Sequence, residues 1–386
     1  MQIQVCSIEK GNTPENSLRS NTKTAFAALR DQIHIKNPAF ILIFCSSQFD
    51  LELLGKKIGG EYGNCCIAGC TTAGEINSIT GYKKESITMA VFADTCFEVY
   101  HRMIPDIASI GPNDAKKLAG DILQEMNKNG FDSDHMFGLL LVDGLALAEE
   151  HLAACLTSAF YPLHIIGGSA GDDLHFDSTY IYSEGKFVKN SATLSVIRTK
   201  LPFYIFQTQH FNPTEQKLVI TAADPTTRTV MEINGLPAVD EYARLVGVSP
   251  DNLNSSLFSM HPIMLKINDR YYIRSIQKAN KDKSLTFYCA IDEGLVLTLA
   301  KGRDIKENYR QTLTDIENNI DNPQFILFFD CILRRLEIEE LGIQNEINKL
   351  IKHYNVAGFS TYGEQIDSLH VNQTLTGIAL GESGIE

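Results

Sequence analysis

The chain has 386 residues, more than one hydrophobic core ordinarily serves, so two or three domains are expected. Its 44% hydrophobic and 21% charged content is that of a globular protein rather than a disordered one. A net charge of −13, with no Lys/Arg run longer than pairs such as Lys83-Lys84 and Arg334-Arg335, argues against a non-specific nucleic-acid binder. No apolar stretch approaches a membrane span and no leader pattern opens the chain, which leads one to expect a cytoplasmic protein. Nine cysteines, several within apolar runs, suit buried thiols in a reducing compartment better than a disulfide framework.

In chain order, residues 24–30 can pack a helical apolar stripe and residues 40–45 (FILIFC) read as a buried strand. A short helix near residues 51–54 leads to the loop Ala68-Gly69-Cys70-Thr71-Thr72-Ala73-Gly74-Glu75, and residues 86–92 form the next strand. The grammar repeats: a strand at 137–143, an alanine-rich helix from 146 to 160, the loop Ile166-Gly167-Gly168-Ser169-Ala170-Gly171-Asp172, and a strand at 192–197. Residues 202–303 differ. Strand-like runs at 217–221 and 229–233 flank the Asp224-Pro225 turn, a helix starts near Pro237, and runs at 270–276, 284–289 and 295–299 suggest an antiparallel meander. The third copy has a strand at 325–331, a helix spanning 338–353, the loop Ala357-Gly358-Phe359-Ser360-Thr361-Tyr362-Gly363-Glu364 and a strand at 374–380.

Strand, helix, strand and glycine turn make the βαβ pattern, and its threefold repetition sets the expected fold. The fold class is α/β with a mixed α+β second half, two halves meeting around a ligand cleft. The boundary falls near Leu201. Residues 1–201 hold two α/β repeats; residues 202–386 hold the mixed β region (202–303) and the third repeat (304–386).

Loops at matching strand ends gather in space, so the loop side chains are the first site candidates. They are Cys70, Thr71, Thr72 and Glu75; Gly168, Ser169, Asp172 and Asp173; Ser360, Thr361 and Glu364. Each loop alone reads better as a glycine turn whose carboxylate caps a backbone donor; three together favour a shared polar cleft. The acidic loop ends argue against a phosphate or dinucleotide ligand. Arg334 suits a ligand carboxylate held by a bidentate pair, with Arg274 as a second candidate; either could instead bridge to Glu364 or Glu293. No Gly-x-Ser-x-Gly, His-Glu-x-x-His or kinase signature is present, so no enzyme is expected. The rival reading of another class is a small-carboxylate enzyme using Cys331, Glu364 or Asp172. A protein-binding scaffold is a third. Cys65-Cys66-x-x-x-Cys70 lacks the second pair that a zinc or iron–sulfur site needs.

The three loops, with Leu236-Pro237-Ala238, His261-Pro262, Tyr272-Ile273-Arg274, Glu293-Gly294 and Cys331 with Arg334, resemble in their order the FIST sensory proteins. The resemblance covers about residues 20–382, as an N-terminal and a C-terminal FIST half. It implies a ligand-binding sensory module of prokaryotic signalling. A stand-alone chain of this kind is similar to the subgroup that binds haem, senses nitric oxide and regulates a separate histidine kinase. The alternative is a sensor of a small metabolite, such as an amino acid, without haem. Haem b would be non-covalent, because no Cys-x-x-Cys-His motif is present; His175, His210, His261 and His370 are the axial candidates. No metal other than haem iron is expected. The implied partners are that kinase and a small ligand, with a homodimer allowed.

Overall fold

The protein is described by a computed structural model covering residues 2–11, 18–126 and 130–382. The α/β expectation holds: three units of one design carry the fold. Each unit has a leading strand, a helix, a central strand, further helix, a third strand parallel to the central one, a short hairpin, and a closing strand. The closing strand returns antiparallel between the leading and central strands. In unit one these are Ile3–Glu9, Leu18–Gln32, Pro38–Ser46, Leu51–Tyr62, Cys66–Thr72, the hairpin Glu75–Asn77 with Gly81–Lys83, and Ser86–Ala93. In unit two they are Phe97–Pro105, Pro112–Glu125, Met136–Val142, Glu149–Phe160, Ile165–Ser169, the hairpin Ile181–Ser183 with Lys186–Val188, and Ser191–Thr199. In unit three they are Phe203–Thr208, Ile305–Asn319, Phe325–Cys331, Ile332–Glu340 and Gln344–Ile351, Val356–Thr361, the hairpin Glu364–Ile366 with Leu369–Val371, and Leu375–Leu380.

The hairpins are exchanged in a ring. Unit one's hairpin pairs with the third strand of unit three (Phe359 opposite Glu75). Unit two's pairs with the third strand of unit one (Cys70 opposite Ile181), and unit three's with that of unit two (Gly168 opposite Glu364). Each six-stranded sheet therefore has an edge supplied by another unit, which covers a row of backbone donors and acceptors that would otherwise be open. The inner faces of the three sheets share one core, where Phe44 meets Phe359 at 4.6 Å, Phe92 meets Phe325 at 5.4 Å and Phe137 meets Phe203 at 5.3 Å. The outer faces pack on helices.

Register explains the repeated loop glycine. Gly69, Gly167 and Gly358 lie opposite Ile43, Leu140 and Phe328 of the central strands. A Cβ there would stand 2.5, 1.7 and 2.1 Å from the carbonyl oxygens of those residues. Gly167→Ala should therefore destabilise by about 1–3 kcal/mol or more. Gly60→Ala, whose Cβ would meet nothing within 4 Å on its helix, should be neutral or stabilising. Urea denaturation of the two variants checks the contrast.

Unit three is interrupted after its leading strand by an insert with its own core and an eight-stranded sheet. Every strand pairing within that sheet is antiparallel, but the three expected runs do not form a meander: Arg270–Arg274 pairs with Ile263–Ile267, Leu285–Phe287 with Thr229–Ile233 and Ile276–Ala279, and Val296–Gly302 with Ile263–Ile267 and Phe211–Asp224. The insert enters and leaves side by side, with Phe211 opposite Gly302. One helix differs from its expectation: the span 338–353 is two helices, separated where Gly342 turns at φ +66°. Among the described residues no helix is long and apolar enough to cross a membrane.

Candidate functional site

The three glycine loops do meet, and they bond to one another in a closed ring. Gly171 N–H donates to Thr71 O (3.0 Å), Ser169 N–H to Gly363 O (2.8 Å) and Ser360 N–H to Gly74 O (2.7 Å). These are the crossings at which each hairpin leaves its own unit. Cys70, Thr71, Thr72, Glu75, Ser169, Asp172, Ser360, Thr361 and Glu364 are all buried. Their polar atoms are largely satisfied within the ring. Glu75 accepts from Thr72 Oγ1 and Ser86 Oγ (2.5 Å each), and Glu364 accepts from Thr361 Oγ1 and from Thr374 Oγ1 (2.6 Å). Asp172 accepts three backbone N–H groups, of Phe176, Asp177 and Ser178, and the Tyr362 hydroxyl. Asp173 accepts from Ser46 and Ser47. A Cβ on Gly168 would lie 2.7 Å from Thr361 Cγ2. Burial pushes both Glu75 and Glu364 up to about 8. The ring is thus a polar core, not an open cleft.

Arg334 sits where the insert joins unit three and is fully enclosed. It pairs with Asp330 (2.7 Å), not with Glu364 or Glu293, and also meets His210 Nδ1 (3.1 Å) and Asn308 Oδ1 (3.2 Å). Its guanidinium lies over the Tyr309 ring at 4.9 Å. Asp330 in turn accepts from Tyr82 (2.6 Å) and Tyr309 (2.5 Å). The other nitrogen of His210 lies 2.9 Å from Glu337. Neighbouring Arg335 crosses to unit one, donating to Ala73 O and Lys83 O at 3.0 and 3.2 Å.

Elsewhere, along the seam where the insert lies against units two and three, the strand that carries Arg274 touches the hairpin strand that carries His370, and Cys331 lies in one apolar cluster with Tyr288 and Tyr362. Arg228 of the insert bonds Glu149 (2.7 Å) and Glu150 (2.6 Å) of unit two, and Ala290 N–H donates to Glu150 (2.7 Å). Ser275 meets Gln373 at 3.3 Å, and Gln373 donates to Ser259 O at 2.6 Å. On the residues of this region Arg274 Nε, Tyr288 OH, His370 Nε2 and Asn372 Oδ1 are buried without a hydrogen-bond partner, and so is Gln365 Oε1 beside His370. His370 Nδ1 lies 3.0 Å from the Gln365 amide nitrogen, and its Nε2 is the unpartnered ring atom. Buried polar atoms without partners are rare in folded proteins, and a cluster of them marks a place for water or ligand. Burial pushes the Cys331 and Cys289 thiols up, the opposite of what an activated nucleophile needs.

The remaining histidines are dispersed. His210 has both nitrogens engaged. His175 is exposed, and His261 is half-buried at the end of the short helix Ser255–Met260. A separate groove of about 1110 Å³ opens between the helix Leu51–Tyr62, the hairpin of unit two and His101 of the leading strand Phe97–Pro105. Tyr288, Asn372 and His101 were not marked by any sequence motif. Tyr288 lies in an ordinary strand-like run, and His101 is a single histidine on an edge strand.

Residues 39–236 match the FIST N domain and residues 238–367 the FIST C domain. The two matches join inside the insert. A protein of Methanocaldococcus jannaschii described as uncharacterized is 23% identical over 385 aligned positions, which span 88% of this chain and 73% of that one.

Proposed function

We propose, from the premise that the chain belongs to the FIST family of sensory ligand-binding domains of signal transduction, that its ligand enters the seam between the insert and units two and three. The observation that carries this is the set of unpartnered buried polar atoms there. Each costs about 1–3 kcal/mol when left unpaired in a closed seam. A ligand that pairs with them favours closure of the insert on the units, and that shift of arrangement is the signal. Arg274 suits a carboxylate, while Tyr288 OH, His370 Nε2 and Asn372 Oδ1 suit a small polar body such as an amino acid. The raised Cys331 thiol supports a sensor over a small-carboxylate enzyme.

Amino acids and small carboxylic acids, screened by thermal shift, test the reading. A ligand at about 100 times its Kd stabilises the protein by roughly 2.7 kcal/mol. Arg274→Ala should weaken that ligand by about 1.5–3 kcal/mol, the scale of a hydrogen bond to a charged group. A response unchanged in the variant, or no response to any such compound, counts against the seam.

A second reading joins the chain to haem and nitric oxide, with the output passed to a separate histidine kinase. The groove beside His101 is large enough for a macrocycle, but its lining carries Glu52, Glu184, Lys56 and two cysteines, and His101 Nε2 is buried rather than open to it. The lining does not fit haem, and this reading rests on the family resemblance alone. Autophosphorylation of a candidate kinase, measured with and without the protein and nitric oxide, tests the output step.

A further inference from the structure

The second glycine loop is unlike the other two. Just past its glycines three residues with side chains, Asp173, Leu174 and Phe176, have left-handed backbone at φ +57°, +69° and +54°. In the first loop the positive φ falls on Gly74, and the third loop has none. An L side chain rarely takes that conformation, and it persists only where neighbouring structure imposes it.

All three units impose it here. The Asp172 carboxylate accepts the N–H groups of Phe176 (2.9 Å), Asp177 (2.7 Å) and Ser178 (2.9 Å), which bends the segment round its own side chain. The Tyr362 hydroxyl of unit three donates to the same carboxylate (2.5 Å) and accepts from the Leu174 N–H (2.9 Å). Asp173 accepts from Ser46 and Ser47 of unit one at 2.8 and 3.1 Å.

The insert supplies the last wall. The Phe176 ring lies 5.0 Å from that of Tyr362 and 6.0 Å from that of Tyr288 in the insert, and the two tyrosine rings are 6.0 Å apart. Tyr288 stands beside the contact that fastens the insert to unit two. Its carbonyl accepts from Arg228 (2.5 Å), which bonds Glu149 and Glu150. If the insert lifts away, the Tyr288 ring goes with it and Phe176 loses one of its two aromatic neighbours. The far side of the loop faces solvent at His175 and Asp177.

We infer that the segment Asp172–Ser178 is a switch, held in its left-handed form while the insert is closed and released when the insert opens. The state of the seam is then displayed on the surface at His175 and Asp177. This rests on the seam reading above, in which closure of the insert is the signal.

The test is native-state hydrogen exchange of the wild-type chain in low urea, with no ligand. The Ala290 N–H, which donates to Glu150 across the seam, reports on the insert. The Gly138 N–H, bonded to His164 O within unit two, reports on the body of the protein. Ala290, Phe176, Asp177 and Ser178 should exchange through one opening, with the same free energy and the same urea dependence, well below that of Gly138. Tyr288→Ala should speed exchange at the three loop amides roughly tenfold, the scale of a lost aromatic pair, and leave Gly138 unchanged. Tyr288→Phe keeps the ring and should exchange as the wild type does. Loop amides that open only with Gly138, or at a free energy unrelated to that of Ala290, overturn the switch. So do loop rates in Tyr288→Ala equal to those of the wild type. Either result leaves a ligand-induced thermal shift at the seam standing. Absence of any such shift, with the shared opening observed, overturns the ligand and not the link.

Discussion

Replacing Arg334 by alanine should destabilise the protein by about 3–5 kcal/mol, a large part of the 5–15 kcal/mol that ordinarily separates folded from unfolded. The reason is what stays behind. Asp330 is fully enclosed and would keep only the Tyr82 and Tyr309 hydroxyls as partners for its charge. His210 Nδ1 and Asn308 Oδ1 would lose their contact as well. Arg334→Lys should recover only part of the loss, because a single ammonium cannot reach three partners from one planar fork. Arg334→Ala combined with Asp330→Asn should be more stable than Arg334→Ala alone, since the stranded charge is gone. Urea denaturation of the three variants measures this. A single alanine variant within about 1 kcal/mol of wild type would show that the pair contributes little. The same numbers separate a structural arginine from a ligand-binding one, whose loss would lower affinity and leave stability intact.

Local pattern and final structure coincide in the central strands. The runs 40–45, 137–143 and 325–331 are central strands because they are buried on both faces, which leaves a continuous apolar signature. The loop glycines repeated because a backbone carbonyl stands against each of three of them. The hairpin exchange left no such trace. Its strands are three residues long, and their partners lie far away in sequence; Glu75 pairs opposite Phe359. The third unit was also obscured, because its leading strand Phe203–Thr208 is separated from its first helix by the whole insert. Arg274, in the sequence a candidate for a ligand carboxylate, and His370, there a candidate haem ligand, both lie where the insert meets the units, whereas Tyr288 and Asn372 gain their meaning only from packing. Arg334 reads in the sequence as a ligand-carboxylate binder or a bridge to Glu364 or Glu293, and in the structure it is enclosed and paired with Asp330. A buried arginine in a polar network and an arginine awaiting a ligand look alike in one sequence.

The second large effect concerns pH. Glu75 and Glu364 ionise near 8 in the folded protein, against an ordinary value of 4.5, because burial disfavours the carboxylate more than the hydroxyls of Ser86, Thr72, Thr361 and Thr374 favour it. The folded state therefore holds protons that the unfolded chain has released above about 4.5. The stability these groups contribute is fully present below that pH and is lost as pH rises through 8. Each should steepen the fall by up to roughly 1.4 kcal/mol per pH unit across that window. Glutamine keeps the size and neutrality of the protonated side chain and has no proton to lose. The Glu75→Gln, Glu364→Gln double variant should therefore show a flatter stability profile and gain several kcal/mol on the wild type between about pH 5 and 8.5. Urea denaturation at intervals across that range tests it, and groups common to both proteins cancel in the difference. Parallel profiles would show that water or rearrangement relieves the two carboxylates. At the equivalent hairpin position unit two carries an apolar residue: Ile181 stands opposite Cys70 where Glu75 stands opposite Phe359 and Glu364 opposite Gly168, so only two of the three hairpins place a glutamate there.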